Sequence, residues 1–217
     1  MVRPPHLAEG RGELMPLLEL LRHAMTQGNL EKRWTGVTDA PLAPEGAALA
    51  RRCARPQGRI PRRVWVSPLL RCSQTASLLF PGAELVPLPG LRETDFGPFE
   101  NKNHQELAGT PLYEAWTRSV GRIPVPGLES REEVAARALP PFRSVLEQLW
   151  ESGEDGAVVT HGGVIMALCQ LLASPQREYS RWWVPCCGGW LLELADWRRT
   201  ERVAVLREIV PVKEDGG

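Results

Sequence analysis

Short apolar runs, each followed by turn or helix-start residues, recur along the chain. They predict buried strands at residues 17–20, 63–67, 84–87, 157–160, 189–195 and 202–208. Helices are predicted at 44–54, from 68 onward, at 129–150 and at 163–173, and Pro140 and Pro141 should break or kink the third of these. This alternation is typical of βαβ units. We therefore predict an α/β fold with a mostly parallel central sheet and helices on both faces.

Residues 98–127 interrupt this alternation. They are rich in polar residues, proline and glycine, and they include Tyr113, Trp116, Lys102, His104 and Arg118. We interpret them as a small lid insertion over an active site; the alternative is a solvated connection that never touches substrate. The predicted organisation is a mobile N-terminal extension at 1–15, one domain at 16–210 that contains the lid, and a C-terminal tail at 211–217.

Composition narrows the functional class. The chain has 217 residues, and its 26 lysines and arginines equal its 26 aspartates and glutamates, so net charge gives no argument for nucleic-acid or membrane partners. Five cysteines without a CxxC pair fit a reducing compartment, and no apolar stretch reaches the roughly 20 residues that span a bilayer. We predict a cytoplasmic enzyme that binds neither nucleic acid nor membrane. The sequence leaves its oligomeric state open.

Two of the four histidines end predicted strands. His23 follows the run at 17–20 through Leu21 and Arg22, and His161 follows the run at 157–160. In open α/β sheets, ligands bind beyond the carboxyl ends of the strands, so both imidazoles should lie on one face. Arg71 lies within a turn of the end of a third strand and should face the same place. A single histidine after a strand is more often a hydrogen-bonded core residue, but two of them predict an active site.

Arginines beside these histidines suit phosphoryl chemistry. A histidine that attacks phosphorus must be neutral, and nearby cations such as Arg22 and Arg71 lower the pKa of an imidazole. The same guanidiniums bind phosphate oxygens and offset charge in the transition state. His161 can donate to a phosphoryl oxygen, and Gly162 at the helix start lets the backbone approach an anion.

The leaving alkoxide requires a proton, and Glu93 is the candidate donor. A carboxylic acid beside a phosphate dianion can hold a proton near neutral pH. Asp95 is the alternative acid, and an ion pair with Arg92 or a lid cation is the alternative role for Glu93. The Cys-x5-Arg pattern that begins at Cys53 also matches the bare motif of tyrosine phosphatases, although its cysteine lies in a predicted helix.

Four blocks, in chain order, resemble the histidine phosphatase superfamily, the phosphoglycerate mutase-like family. The first runs from Arg22 to Leu42, and the others cover residues 67–76, 91–97 and 159–163. The family positions kept in the first block are Arg22, His23, Thr26, Asn29, Gly36, Asp39, Pro41 and Leu42. The chain departs from the family where Ala24 replaces the usual glycine, where Met25 replaces a polar residue, and where Asn101 stands in place of a common glycine.

The resemblance implies a metal-independent phosphomonoester hydrolase that acts through a phosphohistidine intermediate and uses no cofactor. It makes His23 the nucleophile and Glu93 the general acid. The residues it assigns to phosphate or substrate binding are Arg22, Thr26, Asn29, Gly36, Arg71, His161 and Gly162. The substrate is a small-molecule phosphomonoester. No metal site is predicted, since Cys186 and Cys187 lack partner ligands at zinc spacing.

The blocks at 34–39 and 91–97 and the short lid resemble most the alpha-ribazole phosphatase branch, which dephosphorylates a nucleotide precursor in cobalamin assembly. Phosphoglycerate mutases resemble the chain less, because they usually carry a longer, more basic lid that holds a second phosphate. Three alternatives stay open: a broad-specificity phosphatase for sugar or organic phosphates, a phosphoglycerate mutase, and a non-catalytic protein that binds a phosphorylated ligand.

Overall fold

The computed structural model describes residues 15–212 of the chain. Apart from residue 15, the predicted N-terminal extension lies outside the described residues, as do residues 213–217 of the predicted tail. In the described part, no helix is both long enough and apolar enough to cross a bilayer.

Seven strands form one sheet in the spatial order β3-β2-β4-β1-β6-β7-β5. Their bounds are Leu17–Arg22 for β1, Arg63–Val66 for β2, Glu84–Pro87 for β3, Gly156–Thr160 for β4, Ala173–Ser174 for β5, Gly189–Glu193 for β6 and Val203–Ile209 for β7. The β1–β4, β2–β4, β2–β3 and β5–β7 pairs are parallel, and β6 runs antiparallel to both β1 and β7. The predicted mostly parallel sheet is therefore confirmed.

Eight α-helices accompany the strands in the described part of the chain. They are α1 Gln27–Leu30, α2 Pro44–Arg52, α3 Leu70–Leu79, α4 His104–Leu107, α5 Pro111–Arg118, α6 Arg131–Ser152, α7 Gly162–Leu172 and α8 Trp197–Thr200. Side chains alternate across β4, so that Val158 joins a core with α6 and α7 while Ala157 and Val159 join a second core with α3. Helices thus cover both faces of the sheet, as predicted.

The long helix α6 passes through two prolines without interruption. A break at Pro140 and Pro141 is therefore wrong, even though each proline removes one backbone hydrogen bond, and the alternative of a kink stays a prediction. The helix buries one face, from Val134 to Leu149, and packs on the 3-10 helix Pro89–Leu91. Because this tertiary packing stabilises the helix more than local propensity does, it stays continuous.

The helix predicted from Pro68 begins two residues later, at Leu70. Leu69 is still extended, and the Asp39 carboxylate accepts the backbone N–H of Leu70 at 2.7 Å. This contact caps α3 from the loop that follows β1 and fixes the first turn of the helix, on which Arg71 lies.

Residues 98–127 carry α4 and α5 and a small core of their own. The core contains the buried side chains Phe99, Tyr113 and Trp116, against which Trp34 and Phe96 pack. The ring centroids of Trp34 and Trp116 lie 5.0 Å apart. The segment is therefore packed onto the loop after α1 rather than being a solvated connection, and its action as a lid stays a prediction.

The close approach of β6 to β1 offers a test of the sheet. A Cβ atom on Gly189 would collide with the carbonyl oxygen of Leu20 and lie 2.9 Å from Cα of Leu21. Gly189→Ala should therefore lower the free energy of unfolding by about 1–3 kcal/mol in urea titrations, as overpacking does. Gly58→Ala is the matched control, because a Cβ atom there meets nothing within 4 Å. Equal stability of the two variants would contradict the close packing of β1 on β6.

Candidate active site

The two strand-end histidines meet at the carboxyl edge of the sheet. β1 and β4 are parallel and paired through Arg22 and Thr160, so the residues that follow them are neighbours. The backbone N–H of His23 donates to the carbonyl of Thr160 at 2.9 Å. The ring centroids of His23 and His161 lie 5.1 Å apart in an edge-to-face arrangement. The expected juxtaposition of the two imidazoles is present.

The ring of His23 is held in one tautomer by the backbone. Its Nδ1 atom lies 2.7 Å from the carbonyl oxygen of Ala24, which can only accept, so Nδ1 carries the hydrogen. The Nε2 atom then keeps its lone pair, as a nucleophile requires. The N–H of Ala24 donates to Thr75 Oγ1 at 2.9 Å, which ties this turn to α3. Ala24 is fully buried and does not adopt a positive φ, so the methyl group that replaces the usual glycine hydrogen causes no backbone strain.

His161 lies at the N-terminus of α7 and is fully buried. Its Nε2 atom is 2.7 Å from Ser67 Oγ and 3.5 Å from Cys72 Sγ. Ser67 directly follows β2, and Cys72 is in the first turn of α3. The sequence block at 67–76 contained both residues, but nothing in its pattern indicated that they would orient His161.

Arg71 is completely buried beside the histidines. Its Nη1 atom donates to the carbonyl of Thr38 at 2.8 Å, and its Nη2 atom donates to the carbonyl of Gly36 at 2.7 Å. Gly36 is required at this point, because a Cβ atom there would collide with the carbonyl oxygen of Thr94. Gly36 therefore positions an arginine through its backbone.

Arg22 is the second cation at this edge. Its Nη1 atom donates to the carbonyl of Val184 at 3.0 Å, and its guanidinium lies 5.8 Å from the ring centroid of Trp183. A Cβ atom on Gly162 would be 3.6 Å from Arg22 Nε, in ordinary contact. The first turn of α7 and the Arg22 guanidinium therefore adjoin, which is a suitable arrangement for an anion.

Burial and these arginines keep both histidines neutral. Burial lowers the pKa of His23 well below its ordinary value, and the charges of Arg71 and Arg22 lower it further. Burial likewise lowers the pKa of His161, with added effects of Arg71, His23, Arg22 and Arg137. A neutral imidazole at His23 is the state that phosphoryl transfer to nitrogen requires.

Glu93 lies beside the first turn of α7. Its Oε1 atom accepts the backbone N–H of Thr94 at 2.9 Å, and its Oε2 atom accepts the N–H of Gly163 at 3.3 Å. A Cβ atom on Gly163 would lie 2.6 Å from Glu93 Oε1, so the missing side chain lets the carboxyl group reach the helix. Glu93 is buried, with 7% of the residue exposed.

Arg137 of α6 positions the Glu93 segment and was missed by sequence reasoning. Its guanidinium donates to the carbonyl oxygens of Gly90, Arg92 and Glu93 at 2.8, 2.7 and 3.0 Å. It also pairs with Glu129 at 2.6 Å. Because the contacts with the three carbonyl oxygens cross more than forty residues of sequence, no local motif indicates them.

The alternatives to Glu93 have other partners. The Asp95 carboxylate accepts the N–H of Gly97 at 2.9 Å and so closes a tight turn. Arg92 pairs with Glu129 rather than with Glu93, at 3.3 Å. Cys53 ends α2 and accepts the N–H of Val212, and no described contact joins it to the histidines.

Thr26 and Asn29 cap α1 with each other's side chains. The Thr26 hydroxyl accepts the N–H of Asn29 at 3.3 Å, and the Asn29 side-chain oxygen accepts the N–H of Thr26 at 3.0 Å. Their predicted contacts with phosphate stay a prediction. Asn101 has a φ of 58°, a conformation that asparagine tolerates, which explains how it replaces a glycine.

The family model of the histidine phosphatase superfamily (branch 1) matches residues 18–204. The chain belongs to the histidine phosphatase superfamily. It is 34% identical over 174 residues to 2,3-bisphosphoglycerate-dependent phosphoglycerate mutase 2 from Gloeobacter violaceus, which covers 75% of this chain and 79% of that protein. A phosphoglycerate mutase from Methylorubrum extorquens is also 34% identical, over 72% of this chain and 78% of its own length. These relatives carry mutase names, although the sequence features led us to expect a weaker resemblance to mutases.

Solved structures with the same fold include phosphatases. The alpha-ribazole phosphatase from Shigella flexneri matches with a TM-score of 0.71 and 21% identity, covering 91% of this chain and all of that chain. A mycobacterial glucosyl-3-phosphoglycerate phosphatase, solved as a complex with VO3, matches with a TM-score of 0.74 and 26% identity over 91% of this chain. The protein is thus a superfamily member of the phosphatase or mutase type.

Because its two buried histidines are neutral, we expect the stability of this protein to decrease in mild acid. The unfolded chain takes up protons below a pH of about 6.5, whereas His23 and His161 stay neutral in the folded protein. Stability should therefore fall as the pH drops from 6.5 toward 5, by up to about 1.4 kcal/mol per pH unit for each histidine. Urea titrations across pH 5–8 measure this slope. His23→Gln should flatten it, and an equal flattening by His104→Gln, a change in the lid segment, would contradict the assignment.

Proposed function

We propose that this protein is a metal-independent phosphomonoester hydrolase that acts through a phosphohistidine at His23. The observation that carries the proposal is the state of that ring: Nδ1 is held by the Ala24 carbonyl, while burial and two arginines keep the imidazole neutral. An Nε2 lone pair in a cationic pocket is suited to attack on phosphorus.

The reaction has two steps. His23 Nε2 attacks phosphorus, the bond from phosphorus to the leaving oxygen breaks, and Glu93 protonates that oxygen. Water then attacks the phosphohistidine, Glu93 takes a proton from the water, and the phosphorus–nitrogen bond breaks to release inorganic phosphate. Arg22, Arg71 and His161 hold the phosphoryl oxygens throughout both steps. Thr26, Asn29 and the first turn of α7 contribute further polar contacts.

The charges around the pocket favour hydrolysis over a mutase reaction. A mutase must hold a second phosphate group, which calls for further cations. Among the described residues, the arginines whose charges lower the pKa of either histidine are Arg71, Arg22 and Arg137, and His23 also lowers the pKa of His161. The lid residue Lys102 instead donates to the carbonyl of Pro98 at 3.0 Å. The 34% identity to named phosphoglycerate mutases keeps mutase activity as the second candidate.

Alpha-ribazole 5'-phosphate is the specific substrate we propose to test first. Support comes from the sequence blocks at 34–39 and 91–97 and from the short lid, which resemble that branch of the family. Glucosyl-3-phosphoglycerate and other sugar phosphates are the competing substrates, since a phosphatase of that name shares 26% identity with this chain. We propose that the protein acts in the cytoplasm. Its proposed partners are small-molecule phosphomonoesters.

The nucleophile can be tested with p-nitrophenyl phosphate in excess EDTA. The protein should release phosphate in the presence of the chelator, and His23→Ala should reduce release to background, because the attacking lone pair is lost. His104→Ala, which removes a histidine bonded to Tyr113 in the lid segment, is the matched control and should retain activity.

Three results would count against this proposal. Activity that survives His23→Ala would identify another nucleophile, and activity abolished by EDTA would indicate metal-dependent chemistry. Isomerisation of 3-phosphoglycerate in the presence of 2,3-bisphosphoglycerate, without phosphate release, would support the mutase instead.

The role of Glu93 can be separated from binding by varying the leaving group. Butyl phosphate requires protonation of its alkoxide, whereas the p-nitrophenolate ion leaves without a proton. Glu93→Gln should therefore slow hydrolysis of butyl phosphate by about 10²–10⁴-fold and affect p-nitrophenyl phosphate much less. Asp95→Asn tests the alternative acid. If Asp95→Asn shows the leaving-group dependence and Glu93→Gln does not, Asp95 is the acid.

A further inference from the structure

A second cavity lies between α6, α7 and the segment that follows α7. It has a volume of about 580 Å³, within the range of small-molecule sites. Five charged side chains line it: Arg122, Arg131, Arg177, Glu132 and Glu178. Their formal charges nearly cancel, unlike those of the pocket around the two histidines.

Two buried side-chain atoms that have no hydrogen-bond partner in the described part of the chain belong to residues that line this cavity. They are Nη2 of Arg131, a donor, and Oε1 of Gln170, an acceptor. A buried polar group without a partner is costly and rare, and here a donor and an acceptor belong to residues that line one cavity. A ligand with several hydroxyl groups carries both the acceptor and the donor that these two atoms lack.

The Arg131 guanidinium is fixed in place before any ligand binds. Its central carbon lies 3.7 Å from the centroid of the Tyr179 ring, so the two planar groups are in contact. On another side, a Cβ atom on Gly121 would be 3.5 Å from Arg131 Nε. The tyrosine ring and the glycine turn of the lid segment therefore both restrict this side chain, which reduces the entropy lost on binding.

One face of α7 leads from Glu93 into the cavity. Gly163 donates its N–H to the Glu93 carboxylate, and Ala167 and Gln170 follow four and seven residues later on the same face. At 1.5 Å per residue, the cavity begins roughly 6 Å along the helix from the contact with Glu93. Burial raises the pKa of Tyr179 to about 12 and the Glu93 charge adds to this rise, which agrees with their proximity.

We infer that this cavity binds the leaving alcohol of the substrate, and that the alcohol is a neutral, polyhydroxylated group such as a sugar. Arg131 and Gln170 bind its hydroxyl groups while Glu93 protonates the oxygen that leaves phosphorus. The inference rests on the proposed hydrolase activity. A second phosphate or a carboxylate suits the cavity less well, because the carboxylates of Glu132 and Glu178 also line it.

The test compares three phosphomonoesters: butyl phosphate, glucose 6-phosphate and 3-phosphoglycerate. In each the leaving oxygen belongs to an alkyl alcohol, and the three alcohols differ in the other groups that they carry. The readout is the ratio of kcat/KM for glucose 6-phosphate to kcat/KM for butyl phosphate. The ratio should exceed one in the unchanged protein. It should fall about tenfold in Arg131→Met and in Gln170→Met, each of which removes one hydrogen-bonding group but keeps the length of the side chain.

Matched controls come from the exposed residues Arg118 and Gln148, which do not line the cavity. Arg118→Met and Gln148→Met should leave the ratio unchanged. Because the ratio is taken within each variant, a general loss of folded protein does not alter it.

Several outcomes would overturn the inference. A ratio of one or less, or a ratio unchanged in both variants, would overturn the cavity assignment, while His23-dependent release from p-nitrophenyl phosphate would leave the hydrolase proposal standing. A larger loss for 3-phosphoglycerate than for glucose 6-phosphate in Arg131→Met would show that the cavity binds an anion. No release of phosphate from any of these esters would overturn both proposals.

Discussion

The burial of Arg71 is the constraint on which the rest of the site depends. Its guanidinium is fully enclosed, and its described hydrogen-bond acceptors are the backbone carbonyls of Thr35, Gly36 and Thr38 rather than a carboxylate. A buried charge held only by dipoles is poorly compensated in a medium of low dielectric constant. The same charge lowers the pKa of His23 and of His161. A phosphate dianion would supply the missing countercharge. The buried charge of Arg71 therefore makes the site selective for a dianionic ligand.

Arg71 in turn depends on the segment that covers the loop after α1. The N–H of Gly36 donates to both oxygens of Glu100 at 2.8 and 3.0 Å, and Trp34 packs on Trp116. The carbonyls that hold Arg71 are therefore fixed by residues 96–116. A movement of this segment would reach the phosphate pocket through Gly36. Residues 96–116 and the loop after α1 therefore pack as one unit.

The sequence predicted what depends on local patterns, and it missed what depends on packing. The positions of His23 and His161 directly after two strands could be predicted, because the carboxyl ends of parallel strands lie at one edge of a sheet. The continuous helix through Pro140 and Pro141 could not be predicted in this way, since α6 packs on α7 and on a 3-10 helix that is distant in sequence. Ser67 and Arg137 were missed for a similar reason: each acts through a partner that the chain brings close only when folded. Gly36 was assigned to phosphate or substrate binding from the family resemblance, whereas its backbone carbonyl, which accepts from Arg71, became visible only in the structure.

The two arginines and the two histidines also indicate how the imidazoles can differ in protonation during the proposed reaction, with His23 neutral and His161 protonated. Before phosphate enters, burial and two guanidiniums disfavour protonation of His161. A dianion that enters between Arg22 and Arg71 cancels their charge and favours a proton on the imidazole that faces the phosphoryl oxygens. His23 keeps its Nδ1 hydrogen on the Ala24 carbonyl, so its Nε2 lone pair stays directed to phosphorus. In the proposed reaction, substrate charge therefore turns His161 into a donor and leaves His23 as the nucleophile.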